Sequence, residues 1–143
     1  MKYRFGSREW LAALHAIICE RARAAAVTRP DYSYSICEVY TGVPGEIAIL
    51  PGGRTAWHAT VRGADVTFEL EESDAVNFKA IADYMSIIPL GQFDTMGRAD
   101  RAATLQDMAA VVVANGKLKM TGASPGGDGP LGSLHDAIAK LTA

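Results

Sequence analysis

The sequence predicts an α+β fold: a mostly antiparallel five-stranded sheet covered by helices on one face. Three observations predict it. Residues 64–71 alternate, with Val66, Phe68 and Leu70 on one side and Asp65, Thr67, Glu69 and Glu71 on the other. Residues 116–122 repeat the pattern, with Leu118 and Met120 inward and Lys117, Lys119 and Thr121 outward. Between these strands lie apolar residues at helical spacing, more of them than a thin core needs. If the two strands are neighbours, Lys117 and Lys119 face Glu69 and Glu71, a favourable cross-strand match.

The 143 residues fit one domain, 1–143, with one core. A net charge of −2 and the lack of any Lys/Arg cluster argue against nucleic acid or an anionic membrane surface as partner. No run approaches the roughly 20 apolar residues a bilayer needs, so stable membrane insertion is not expected. The charged opening, Met1 to Glu9, lacks a signal peptide's apolar stretch. Cys19 and Cys37 fall on different predicted elements and read as reduced thiols in a cytoplasmic protein.

Taken in order, Ser7 caps a helix to about Ala26, with Trp10, Leu11, Leu14, Ile17 and Ile18 as its stripe and His15 beside it. Pro30 ends that segment. Tyr32–Thr41 reads as a strand with Tyr34, Ile36, Glu38 and Tyr40 on one face. A Glu among tyrosines suggests an exposed or edge position. Glu46–Leu50, Thr55–Arg62 and the strand from Ala64 then continue a four-strand meander through glycine turns. Ser73 or Asp74 caps a helix carrying Phe78, Ile81, Met85 and Ile88, flanked by Val76, Ala80, Tyr84 and Ile87 and ended by Pro89 and Gly91. Gln92–Ala103 is irregular or weakly helical. Thr104 with Asp107 resembles a capping box for a helix to Ala114 bearing Leu105, Met108 and Val112. A glycine-rich tether, 123–132, leads to a last helix capped by Ser133. Its narrow stripe, Leu134, Ile138 and Leu141, suggests a lid.

This order resembles the sterol carrier protein 2 (SCP2)-like family. The matching features are Trp57 with Gly63, Ala64-Asp65-Val66, and Gly116-Lys117-Leu118-Lys119-Met120-Thr121-Gly122. The last is similar to the family's glycine-lysine-leucine-lysine-valine-x-glycine strand. The opening Phe5-Gly6-Ser7-Arg8-Glu9-Trp10 is similar to that of bacterial members, and Gly42-Val43-Pro44 sits where they carry a valine-proline turn. The resemblance implies a hydrophobic tunnel between sheet and helices that takes fatty acids, fatty acyl-CoA, sterols or other lipids, with no shared catalytic residues and no cofactor. The chain ends Leu141-Thr142-Ala143, unlike the peroxisomal tripeptide of many eukaryotic members. Residues 92–101 match nothing in the family pattern.

The expected ligand is therefore a hydrophobic small molecule. The candidate lining residues are Phe68, Phe78, Ile81, Met85, Ile88 and Met96, followed by Leu105, Met108, Val112, Leu118, Met120, Leu134 and Ile138. The four methionines among them suit an adaptable pocket. The same residues would also serve as solid core. A rival reading is a small cofactor-free enzyme of lyase, isomerase or hydrolase type, with acid and base drawn from Glu38, Tyr40, His58 and Asp94. A protein-interaction module has no distinguishing feature in the sequence. His15, His58 and His135 lie on separate elements without metal-ligand spacing, so no metal is expected. Gly126-Gly127-Asp128-Gly129 lacks the lysine and Ser/Thr of a phosphate loop. A homodimer is left open.

Overall fold

In the computed structural model, which describes residues 1–125, 129–132 and 134–143, nine elements follow one another. They are α1 (Arg8–Ala26), β1 (Ser33–Thr41), β2 (Thr55–Arg62), β3 (Asp65–Glu69), β4 (Phe78–Asp83), α2 (Tyr84–Gln92), α3 (Ala99–Ala114), β5 (Leu118–Gly122) and α4 (Leu134–Leu141). The sheet order is β3-β2-β1-β4-β5. It is mixed: β1–β2, β2–β3 and β4–β5 are antiparallel, and β1–β4 is parallel.

Ser7 caps α1 as expected, its side chain accepting from the Trp10 amide at 3.2 Å. Trp10, Leu11, Leu14, Ile18 and Ala22 form the buried stripe. It presses on the inner sheet face, where Ile36, Trp57, Ala59, Val61, Phe78, Ala80, Ala82 and Leu118 meet it in one core.

Five expectations are corrected. Glu46–Leu50 is not a strand: Ile47 and Ala48 both donate to the Pro44 carbonyl, which coils the segment, and only Leu50 makes an isolated bridge, to Arg54. The meander therefore has three strands, β1 to β3. The helix expected from Ser73 or Asp74 is strand β4 followed by α2. Phe78, Ala80 and Ala82 alternate inward with Lys79, Ile81 and Asp83 outward, and the true cap is Asp83, accepting from the Ser86 amide at 3.1 Å. Pro89 lies inside α2 rather than ending it. Thr104 lies within α3, which begins at Ala99, and donates back to the Asp100 carbonyl at 3.2 Å instead of capping. Finally, β3 and β5 occupy opposite sheet edges, so Lys119 pairs with Ile81 and not with a glutamate.

The parallel β1–β4 pair requires the chain to cross from one side of the sheet to the other after β3. Residues 70–77 make the crossing over the outer face, where Val76 covers the small cluster of Cys37, Val39 and Ala56. Lys79 holds Glu72 and Asp74, each at 2.5 Å, and Arg54 also meets Glu72. Asn77 then starts β4 against β1: its amide donates to Ser35, and its Oδ1 accepts from the Ser35 amide and hydroxyl.

The last helix is fastened at its end. Trp10 Nε1 donates to Thr142 Oγ1 at 2.9 Å, Thr142 bridges to Tyr3, and the Tyr3 amide donates to the Leu141 carbonyl at 2.7 Å. Leu134, Ile138 and Leu141 are buried. Cap residue Ser133 and residues 126–128 of the glycine run lie outside the described residues. Beyond them Leu131 is buried in the core.

Gly122 marks where β5 meets the crossing chain. Its φ is +90° and a Cβ there would stand 2.0 Å from the Asn77 carbonyl oxygen. Gly116 also has positive φ, +73°, but open space around it. Gly116→Ala should cost about 1–2 kcal/mol from backbone conformation alone. Gly122→Ala should lower the unfolding midpoint by a clearly larger margin, because backbone must move as well. Thermal unfolding of the two variants side by side checks this; equal losses would show that the Asn77 approach is unimportant.

Candidate functional site

The inner sheet face carries one carboxylate. Glu38 sits at mid-sheet on the central strand β1, opposite Trp57 on β2 and Ala80 on β4. It is not at an edge, contrary to the expectation from its tyrosine neighbours. Tyr40 donates its hydroxyl proton to Glu38 Oε1 at 2.6 Å, and Trp57 Nε1 donates to the Tyr40 oxygen at 2.9 Å. Among the described residues no group donates to Oε2, and none of their buried side-chain polar atoms lacks a partner. Oε2 therefore opens onto the cavity that Glu38 helps to line.

That cavity has a volume of about 220 Å³ and lies between the inner sheet face and α2, α3 and α4. Phe5, Trp10, Ile87, Leu90, Leu105, Ala109, Leu118, Met120 and Ile138 give it apolar walls, with Glu38 and His135 as its titratable groups. A smaller adjoining space shares Glu38, Ile87, Leu118 and Met120 and is floored by Phe78, Ala80 and Ala82. The short alanine side chains on β4 keep the floor low. Behind Glu38, Phe5 packs on Trp10, Tyr40 and Tyr84 with ring centroids 4.6, 4.9 and 5.8 Å apart. Tyr84 fixes Phe5 in turn by donating to its carbonyl at 2.6 Å.

Burial pushes the Glu38 carboxyl above its ordinary value, against the hydrogen bond from Tyr40, the charge of His135 and the indole of Trp57. Glu38 borders the cavity, and the residue as a whole is half-buried. Burial and the neighbouring Glu38 push the Tyr40 phenol well up, so Tyr40 stays a proton donor. His135 Nε2 is 2.8 Å from the Phe93 carbonyl, which can only accept, so Nε2 carries the proton. Next to it Asp136 accepts from the Thr95 amide and hydroxyl at 2.8 and 2.6 Å. Burial raises this carboxyl, but the Thr95 bonds outweigh that and leave it below its ordinary value. These bonds hang the 93–98 loop, which the sequence left unplaced, on α4.

The predicted lining residues are dispersed. Leu105, Leu118, Met120 and Ile138 line the main cavity and Phe78 the adjoining one. Phe68 lines a separate groove beside α1, stacked between His15 and Trp57 at 4.6 and 5.5 Å. Ile81 is on the outer face. Met85 and Met96 are largely exposed. Ile88 and Val112 pack against the core, Met108 is half-buried and Leu134 is buried in the core, none of them lining the cavity. Of the acid–base candidates only Glu38 and Tyr40 are together. His58 is on the outer face, and Asp94 accepts from the Met96 amide in the 93–98 loop. Phe5, Trp10, Ile87, Leu90, Gly91, Ala109 and His135 escaped the sequence reading, although Trp10 and Ile87 stood on stripes it had drawn.

For a metal ion, the described residues offer one group: His58 on β2, Glu69 at the end of β3 and Glu71 just beyond it, whose ligand atoms lie within 4.8 Å of one another. Cys19 and Cys37 are free thiols.

With the geometry in place, the chain can be set beside known proteins. No family model and no curated protein matches it. A solved structure from Thermus thermophilus, a conserved hypothetical protein whose description suggests a sterol carrier protein, superposes at a TM-score of 0.52. It covers 100% of this chain and 94% of its own, at 12% identity. The chain has the SCP2-like fold. A UbiJ-SCP2 ubiquinone synthesis protein is also similar, with 14% identity over 92% of this chain and 89% of its own. It superposes at a TM-score of 0.47. In this SCP2-like chain no described helix is long and apolar enough to cross a membrane.

The buried carboxylate sets a pH dependence. An acid whose pKa is raised on folding binds more protons folded than unfolded between the two values, so stability falls as pH rises through that window. Glu38→Gln keeps an acceptor for Tyr40 and removes the titration. The variant should be more stable than the parent at pH 7–8, and the difference should shrink as pH falls towards 4.5. Thermal unfolding across pH 4.5–8 measures it; a constant difference would mean that Glu38 is solvated as in the unfolded chain.

Proposed function

We propose that the chain binds a hydrophobic small molecule, in the broad class of fatty acids, acyl thioesters and sterols, in the cavity between the inner sheet face and α2–α4. The observation that carries this reading is the cavity itself, walled by apolar side chains yet floored by a single acid. At about 220 Å³ it exceeds the roughly 150 Å³ apolar cavity that stays dry and takes benzene. It is smaller than a long lipid, so a large ligand must protrude from it or a wall must move.

The wall best suited to move is α3. None of its side chains is fully buried, and Val111 and Val113 are exposed. A helix so lightly docked opens at much lower cost than global unfolding. The last helix, fastened through Thr142 and Tyr3, has the opposite character.

Two measurements test the reading. Displacement of a fluorescent fatty acid should be saturable at one site, and Ala109→Phe, which fills the cavity from α3, should weaken binding at least tenfold without lowering the unfolding midpoint. No binding by fatty acids, acyl thioesters or sterols would refute it. Hydrogen exchange should show ligand slowing residues 99–114 more than residues 134–141. The reverse order would make α4 the moving element.

A further inference from the structure

The polar groups of the cavity specify what its ligand carries. This inference rests on the cavity being a ligand site. Glu38 presents a carboxyl oxygen, Oε2, that no described residue donates to. His135 spends Nε2–H on the Phe93 carbonyl, so whenever the ring carries a single proton its Nδ1 is an acceptor. The indole N–H of Trp10, which lines the same space, is taken by Thr142. No Lys or Arg is among the described lining residues. Among the described residues the cavity thus offers acceptors, and no free donor or permanent cation, inside apolar walls.

We propose that the cavity selects an apolar ligand bearing a hydroxyl, an alcohol or a phenol, which hydrogen-bonds to Glu38, and that Glu38 turns carboxylate-headed ligands away. A hydroxyl suits the site in either state of Glu38: the ionised acid accepts its proton, and the protonated acid donates to its oxygen. A buried carboxylate head would meet Glu38 with no Lys or Arg at the cavity to offset its charge. An ammonium head would pair with ionised Glu38 but would have to leave water for apolar walls on every other side. The reading favours one end of the lipid range above: hydroxyl heads over free fatty acids.

Three probes of one shape separate the alternatives: 4-butylphenol, 4-butylbenzoate and butylbenzene, titrated by calorimetry or NMR at pH 8, where an ordinary imidazole is neutral. The phenol should bind at least tenfold tighter than the benzoate and severalfold tighter than butylbenzene. In Glu38→Gln, whose amide can turn its N–H towards the cavity, the phenol-to-benzoate ratio should fall at least tenfold. Should that variant fail to fold, the order of the three probes on the parent protein decides alone. Butylbenzene binding with the benzoate equal to or tighter than the phenol would overturn the selectivity and leave the hydrophobic site standing. Failure of all three would overturn both. A 4-butylbenzylamine that outcompetes the phenol would overturn the hydroxyl assignment.

Discussion

The hydrogen-bond chain from Trp57 through Tyr40 to Glu38 crosses the centre of the sheet, and the inner face is arranged around it. A carboxyl at this position must be solvated by something, because burying one unpaired costs several kcal/mol. The protein supplies one strong donor, Tyr40, and leaves the second oxygen on a cavity. Phe5 and Trp10 then hold Tyr40 by ring packing, and Tyr84 packs on Phe5. Because Trp10 also anchors Thr142, the same cluster that supports the acid fastens the last helix. Cavity, aromatic cluster and C-terminus are three parts of one arrangement.

Much of the fold was legible in the sequence because single elements write themselves in local periodicity. The α1 stripe, the Ser7 cap and the β2 and β3 alternations needed no knowledge of neighbours. Residues 76–88 were misread because two periods coincide there. Phe78, Ile81, Met85 and Ile88 fit a helix, while Phe78, Ala80 and Ala82 fit a strand with Lys79 and Asp83 outward. The deciding signal was small: Asp83 three residues before Ser86, a helix start in the middle of the supposed helix. Strand order was not legible. Lys119 of β5 and Glu69 of β3 would have been as content side by side as they are at opposite edges.

The site was partly legible for the same reason. Leu118 and Met120 follow from alternation, and Glu38 stood out as the wrong residue for its face. Its placement at an edge was an inference from chemistry, overturned by topology: the β4 pairing makes β1 central. His135 could not have been found, because its role comes from a carbonyl 42 residues away, at Phe93. The contrast between α3 and α4 was equally hidden. Both have apolar stripes, and only long-range contacts at Thr142 and Tyr3 distinguish a fastened helix from a loose one.

The two tryptophans of the chain are both fully buried, and both belong to this arrangement. Trp10 forms part of the cavity wall, while Trp57 is one hydrogen bond removed from the phenol that touches Glu38 and stacks on Phe68. No indole sits elsewhere to contribute background. Under excitation that only indole absorbs, the protein's emission therefore comes from the surroundings of the acid, and it carries an optical reporter of its own interior without any added label.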